Sequence, residues 1–178
     1  MLQTFSYISP IGRLIAIADK TALLRLDFEE NTVRKRINDF EFPSNKETII
    51  VETPFIDAYP ILKQTQNWLE AYFNKRKLPP LPPIHFEDTS FRMLVWRLLL
   101  DIPYGETVTY GELSVIVAKE RRIKKMSAQA IGQAVGCNPI SIIVPCHRVI
   151  GVQGRLTGYA GGIERKQFLL ELEKSPQS

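Results

Sequence analysis

The chain has 178 residues, a formal net charge of +4 and 44% hydrophobic residues, which suffices for one domain or two small ones with an apolar core. No run approaches the roughly 18 consecutive apolar residues of a membrane span, so we expect no membrane partner. Two cysteines without a signal sequence predict a reducing, cytoplasmic setting, and their spacing to the two histidines matches no metal site.

The N-terminal part of the chain predicts a small sheet followed by a helix. Apolar, often β-branched runs predict strands over 2–8, 13–18 and 22–28. An amphipathic helix is predicted over 57–74, with Pro60 in its first turn, where the missing N–H costs nothing. This order of elements favours a small α/β domain.

A proline-rich segment divides the chain. Residues 77–83 hold four of the 12 prolines, which predicts a stiff and extended connector. We therefore predict a supporting domain over 1–85, with this linker at its end, and a second domain over 86–178.

Three helices are predicted in the second domain. The first covers 89–101. The second begins after Thr109, which forms a capping-box pattern with Glu112. The third begins after Ser127, a good N-cap, and ends at Gly136. Helix, loop, helix and then an extended run indicate a helix-turn-helix or winged-helix arrangement.

The loop before the third helix is basic, and the helix itself is slim. Residues 119–125 hold five basic residues and one acidic residue, which fits phosphate contacts but also an ordinary solvated loop. In the helix, Ile131 and Val135 can face the core. The outer face carries Ala128, Gln129, Gly132 and Gln133. A face this slim suits either close approach to DNA or close packing against another helix, and both interpretations stay open.

The most reactive side chains follow an apolar run. Residues 140–144 predict a short buried strand that ends at Pro145, with Cys146 facing a cleft. A cysteine is nucleophilic as its thiolate, so its pKa must fall or a base must take its proton. His147 and Arg148 are the adjacent base and positive charge, and a water would bridge the thiol to the imidazole because strand neighbours point to opposite faces. A buried structural cysteine beside a solvated His-Arg pair is the alternative.

Several spaced motifs resemble those of one family. They are NPISIIVPCHRVIG over 138–151, IPYGETVTYGEL over 102–113, LTGYAGGI over 156–163 and KQFLL over 166–170. In this order they resemble the O6-alkylguanine-DNA alkyltransferases, also called methylated-DNA–protein-cysteine methyltransferases. The resemblance covers about residues 88–173. The first half of the chain resembles the smaller domain of that family mainly in SPIG over 9–12.

The resemblance implies an α+β fold. A small N-terminal α/β domain like ribonuclease H would support a C-terminal winged-helix-like domain that binds DNA and carries the active site. The implied function is DNA repair by irreversible, single-turnover transfer of an alkyl group from O6-alkylguanine to Cys146, with O4-alkylthymine as a further candidate substrate. The partner would be double-stranded DNA with the damaged base flipped out. We expect a monomer without cofactor or metal.

The resemblance also assigns catalytic roles. His147 would take the cysteine proton through water, and Glu173 would hold the imidazole, with Glu171 as the alternative if the register differs. Asn138 would brace the active-site turn. Tyr110 would assist the departure of guanine, although core packing is the alternative.

Two sets of residues would contact the substrate DNA. Gln129 stands where many members of the family carry the arginine that fills the space of the extruded base. The other DNA contacts would be Ser127, Ala128, Gly132, Gln133, Arg148, Lys124 and Lys125. The pocket for the flipped base would be lined by Tyr159, Ala160, Gly161 and Val149. Ala160 stands where some members carry serine, so a contact to O6 there must come from a backbone N–H.

Three other interpretations compete with alkyl transfer. A thiol hydrolase also uses cysteine with histidine, but usually from distant positions in the sequence. A non-enzymatic damage sensor like the alkyltransferase-like proteins would lack the cysteine, which this chain retains. A redox pair of Cys137 and Cys146 has no support in their spacing.

Overall fold

The computed structural model describes residues 1–31, 48–51, 53–175 and 177. Contacts between these residues divide the chain into two compact units, Met1–Phe86 and Glu87–Ser175. Within the described residues, no helix has both the length and the apolar character needed to cross a membrane.

The first unit is built on a four-stranded sheet. Its strands are β1 (Leu2–Ser9), β2 (Gly12–Ala18), β3 (Leu23–Phe28) and β4 (Thr48–Val51), in the spatial order β3-β2-β1-β4. The first three strands pair antiparallel, and β4 pairs parallel with β1. The three predicted strands are confirmed, whereas the sequence pattern does not predict β4, which has only four residues.

A helix packs against this sheet. The helix α1 (Pro60–Phe73) follows a short 3₁₀ helix (Thr53–Ala58), and Pro60 occupies its first turn as predicted. The face that contacts β1 and β2 is apolar and aromatic, and its buried residues are Ile61, Leu62, Thr65, Trp68, Leu69, Ala71 and Tyr72. The predicted proline-rich connector has no regular secondary structure over 77–83. Its end lies beside β3, where Leu23 donates to the carbonyl of Pro83 at 2.7 Å.

The second unit is mainly helical. Its elements are α2 (Ser90–Leu100), β5 (Val108–Thr109), α3 (Tyr110–Glu120), α4 (Ala128–Gly136), β6 (Val149–Ile150) and α5 (Ile163–Glu173). The helix α4 packs against both α2 and α3, and β5 pairs parallel with β6. The three predicted helices are confirmed, and their ends agree with the prediction to within a residue or two.

The predicted helix starts have the expected caps. The Thr109 hydroxyl accepts from the Glu112 N–H at 3.1 Å, and the Glu112 carboxylate accepts from the Thr109 N–H at 2.7 Å, so the capping box is complete. Ser127 accepts from the Gln129 N–H at 3.2 Å. These short-range bonds fix where α3 and α4 begin, and therefore where the loop between them lies.

The prediction of a strand over 140–144 is wrong. These residues form a turn in which Val144 donates to the Ile140 carbonyl at 3.1 Å and Ile142 has a φ of 71°. All five residues of the run are buried. Their apolar, β-branched composition therefore reflects burial rather than an extended backbone, and periodicity cannot separate the two over so short a run. Pro145 is followed by a 3₁₀ helix (Cys146–Arg148).

The contact between α2 and α4 includes one buried aromatic residue. Trp96 is 1% exposed, and its indole N–H donates to the Ala134 carbonyl at 2.8 Å. This bond joins residues 38 positions apart in the sequence. The indole thereby fixes α4 on α2.

Replacing Trp96 with phenylalanine should lower the free energy of unfolding by about 1–3 kcal/mol, because the buried hydrogen bond and part of the ring are lost. Chemical denaturation measures this change. The control is Val115→Ala on α3, where the side chain is 69% exposed and the change should stay within about 0.5 kcal/mol. Equal effects of the two substitutions would contradict the role of Trp96.

Candidate active site

The thiol of Cys146 is held at the centre of a buried turn. Cys146 is 4% exposed, and its Sγ accepts a hydrogen bond from the Asn138 side-chain amide at 3.1 Å. The same amide donates to the carbonyl of Val144 at 2.9 Å, and its oxygen accepts from the Ile140 N–H at 3.0 Å. Asn138 therefore holds the turn closed and presents a donor to the sulfur, which favours the thiolate form.

A buried imidazole–carboxylate pair lies next to the thiol in the chain. The His147 Nε2 lies 2.7 Å from the Glu173 Oε1, and both side chains are almost fully buried. Glu171, the alternative partner, is exposed and pairs with Lys174 instead. The geometry therefore selects Glu173 as the partner of the histidine.

The two groups of this pair have different protonation preferences. Burial lowers the pKa of His147, an effect that the bond to Glu173 opposes and that the charges of Arg148 and Lys166 increase. Burial alone would raise the pKa of Glu173, but the hydrogen bonds and charges of His147 and Arg148 outweigh it and hold the pKa at about 2. An ionised Glu173 only accepts, so a neutral His147 carries its proton on Nε2 and presents Nδ1 as the basic nitrogen.

Arg148, which the resemblance led us to expect at the DNA, is buried in this structure and its guanidinium is not available at the surface. Arg148 is 6% exposed. Its Nε donates to Glu173 at 2.8 Å and its Nη1 donates to the carbonyl of Ile102 at 2.6 Å. A charge buried with a carboxylate partner stays there because exposing it would remove the charged partner of Glu173. Arg148 therefore holds Glu173 rather than a phosphate group.

Because residue 105 is a glycine, its backbone can come close enough to Glu173 to hydrogen-bond to the carboxylate. Its N–H donates to the Glu173 Oε2 at 3.1 Å. Its φ is +79°, and a Cβ at this position would lie 2.9 Å from the Glu173 carbonyl oxygen. Both the left-handed backbone and the close approach require glycine here.

Tyr110 and the loop that follows β6 lie against each other. The Tyr110 hydroxyl donates towards the carbonyls of Thr157 at 3.1 Å and Gly158 at 3.3 Å. Burial raises the pKa of Tyr110, the bond to Thr157 opposes the rise, and the nearby Cys146 adds to it. The hydroxyl therefore stays protonated and available as a donor. Among the predicted pocket residues, Val149 and Gly161 are buried, Tyr159 is half-buried and Ala160 is exposed.

The predicted DNA-contacting residues outside this cluster lie at the surface. Ser127, Ala128, Gln129 and Gln133 of the α4 region are exposed, as are Lys124 and Lys125 before it. Gly132 is half-buried, and a Cβ there would lie 3.8 Å from the Tyr110 ring, an ordinary contact distance. Packing within this unit therefore does not require glycine at position 132.

Lys166 is a site residue that the sequence reasoning did not identify. It is 0% exposed, and its ammonium donates to the carbonyls of Val149 at 2.5 Å and Thr157 at 2.9 Å. The helical spacing carried a signal for it. Lys166 and Glu173 share one face of α5 with Leu169, and a leucine that faces the core also turns these two charged residues inward.

Comparisons with known proteins agree with this geometry. The chain matches a family model of the DNA-binding domain of 6-O-methylguanine DNA methyltransferase over residues 90–175, and one of its ribonuclease-like domain over residues 4–82. A methylated-DNA–protein-cysteine methyltransferase of Haemophilus influenzae is 37% identical over 174 residues, which cover 96% of this chain and 85% of that protein. A protein of the same name from Methanosarcina barkeri is 39% identical and is covered to 94%, as is this chain.

Solved structures agree as well. The crystal structure of the O6-methylguanine methyltransferase of Mycobacterium tuberculosis has a TM-score of 0.76 and 36% identity, covering 100% of this chain and 97% of that one. A Mycobacterium tuberculosis structure in complex with DNA has a TM-score of 0.75 and 38% identity, covering 98% of this chain and 95% of that one. The α+β fold and the family resemblance are thereby confirmed.

The buried carboxylate predicts a specific pH dependence of stability. The pKa of Glu173 falls from 4.5 to about 2 on folding, so its contribution is present above about pH 4.5 and is lost as the pH falls towards 2. Glu173→Gln should remove roughly 3 kcal/mol at neutral pH. It should also reduce the decrease in the free energy of unfolding at acid pH, as measured by chemical denaturation from about pH 7 to about pH 3.

The matched control is Glu171→Gln, an exposed glutamate on the same helix. It should leave both the stability at neutral pH and its decrease at acid pH close to those of the unmodified protein. Identical pH profiles for the two variants would show that the Glu173 carboxylate does not have this role.

Proposed function

The chain belongs to the 6-O-methylguanine DNA methyltransferase family, and we propose that Cys146 is the residue that accepts the alkyl group from damaged DNA. This assignment rests on the buried Cys146 thiol. Its sulfur accepts a hydrogen bond from the Asn138 side-chain amide at 3.1 Å, and the hydrogen-bonded His147–Glu173 pair follows it in the chain. This arrangement favours a thiolate and supplies a base next to it. The alkyl group comes from the O6 oxygen of guanine in double-stranded DNA.

The transfer is a single displacement at carbon. The Cys146 sulfur forms a bond to the alkyl carbon as the bond from that carbon to O6 breaks, and the electron pair leaves with the guanine. The thioether that results has no route to hydrolysis, so each molecule reacts once. The bond that forms joins the sulfur to the alkyl carbon, and the bond that breaks joins that carbon to O6. The reaction therefore needs no cofactor. A thiol that must stay reduced suits a cytoplasmic setting.

His147 and Glu173 move the cysteine proton in this proposal. A neutral His147 takes the proton at Nδ1 through a water molecule, and Glu173 at 2.7 Å from Nε2 stabilises the imidazolium that forms. Arg148 keeps Glu173 ionised and in place. Asn138 holds the turn and donates to the sulfur.

Tyr110 assists the leaving group. Its hydroxyl is protonated and reaches the carbonyls of Thr157 and Gly158, which lie in the loop proposed to form the pocket wall. A flipped base in this pocket would accept a hydrogen bond from the Tyr110 hydroxyl as negative charge develops on guanine. Val149, Tyr159, Ala160 and Gly161 would line the pocket, with contact to O6 from a backbone N–H.

The exposed face of α4 is proposed to meet the DNA. It is slim because Ala128 and Gly132 carry almost no side chain, and packing does not require the glycine. Gln129 would enter the space left by the extruded base and form a hydrogen bond with the cytosine that has lost its partner. Ser127 and Gln133 extend this surface, and Lys124 and Lys125 would contact phosphates.

Mass spectrometry after incubation with a duplex containing O6-methylguanine tests the acceptor. One methyl group per protein should appear on the peptide that contains Cys146, as a mass increase of one CH2 unit. Cys146→Ala should show none, and Cys137→Ala should be modified like the unmodified protein. Modification of another residue, or turnover of more than one equivalent, would contradict the assignment.

A substitution at Gln129 tests whether its side chain fills the space that the extruded base leaves in the duplex. Gln129→Ala should slow repair of duplex DNA by about tenfold, because flipping costs a few kcal/mol that the side chain helps to offset. It should leave the reaction with free O6-alkylguanine nearly unchanged. Gln167→Ala, an exposed glutamine on α5, is the control for both substrates. Equal losses on duplex and free base would remove Gln129 from the interface.

A further inference from the structure

Lys166 joins two segments that the proposed reaction needs together. Its ammonium donates to the Val149 carbonyl, one residue after the 3₁₀ helix of Cys146, and to the Thr157 carbonyl in the pocket loop. The side chain has no exposed surface. A buried ammonium is costly unless it has partners, so these two bonds keep it in this position.

The carbonyl of Thr157 has two donors in this structure. Lys166 donates to it at 2.9 Å and Tyr110 at 3.1 Å, while the ammonium also lies 5.8 Å from the centre of the Tyr110 ring. A carbonyl oxygen has two lone pairs, and both are therefore used. A tyrosine hydroxyl has a single hydrogen, which it shares here between Thr157 and Gly158.

The proposed role of Tyr110 requires this hydroxyl to move. To donate to a guanine in the pocket, the hydroxyl must release the carbonyls of Thr157 and Gly158. If Lys166 were absent, this step would remove the last donor that the described residues provide to the Thr157 carbonyl, which opposes productive binding.

We propose that Lys166 is a positioning residue for alkyl transfer, because its ammonium continues to donate to the Thr157 carbonyl when the Tyr110 hydroxyl turns to the guanine. This inference rests on the function proposed for Tyr110. Lysine suits the task because its three N–H donors can serve two carbonyls at once.

The charge of Lys166 is consistent with this role. Burial lowers the pKa of Lys166 to about 8, and Cys146 acts in the opposite direction. His147 and Tyr110 are further ionisable groups that interact with it. The ammonium therefore remains mainly protonated at neutral pH and holds both carbonyls with charged donors.

The test is a double-mutant cycle between Lys166 and Tyr110. Single-turnover transfer from a duplex containing O6-methylguanine is measured for the unmodified protein, Lys166→Met, Tyr110→Phe and the double variant. Lys166→Met should slow transfer about tenfold in the presence of Tyr110. It should slow transfer less than about twofold in the Tyr110→Phe background, where no hydroxyl must leave the carbonyl. Lys174→Met, an exposed lysine after the same helix, should transfer at the unmodified rate.

The outcomes separate this inference from the function on which it rests. An equal loss from Lys166→Met in both backgrounds would show a merely structural lysine and would overturn the inference. An unchanged rate for Tyr110→Phe alone would overturn the role of Tyr110 and the inference with it. Absence of transfer by the unmodified protein would overturn the proposed function itself. If Lys166→Met does not fold, Lys166→Leu, which likewise carries no donor, replaces it in the same cycle with the same criterion.

Discussion

The carboxylate of Glu173 is the group on which the active site depends. It lies at the end of α5 and accepts hydrogen bonds from His147, Arg148 and the backbone of Gly105. A buried carboxylate is stable only with such partners, and each partner is in turn fixed by it. Gly105 precedes β5 and the cap of α3, so this one group also connects the site to the start of that helix.

The helix α5 supplies the site with two buried charged groups. Glu173 holds the imidazole that follows Cys146, and Lys166 holds the backbone on both sides of the proposed pocket. They are two turns apart on one helical face, with the buried Leu169 between them. A helix is a rigid spacer, so α5 keeps the His147 side and the Thr157 side of the proposed site at a constant separation.

The proposed DNA interface follows a different principle from the catalytic cluster. The cluster is buried and its side chains are joined by hydrogen bonds, whereas Gln129, Lys124 and Lys125 are exposed and can adapt to a duplex. Gln129 provides no charge, so electrostatic attraction at the proposed interface would depend on the basic loop. Tyr110 lies where the two regions meet, since a Cβ at Gly132 of α4 would lie 3.8 Å from its ring and its hydroxyl reaches the pocket loop.

The sequence by itself determined the features that depend on near neighbours. The capping box of Thr109, the first three strands and the motif around Cys146 all follow from residues a few positions apart, where propensity and spacing are informative. Only the tertiary structure decided that Arg148 is buried, since its partner Glu173 lies 25 residues away, and that residues 140–144 form a turn around the Asn138 side chain. An arginine or a β-branched run has the same local pattern in several settings. Burial and distant partners, which local spacing does not encode, select among them.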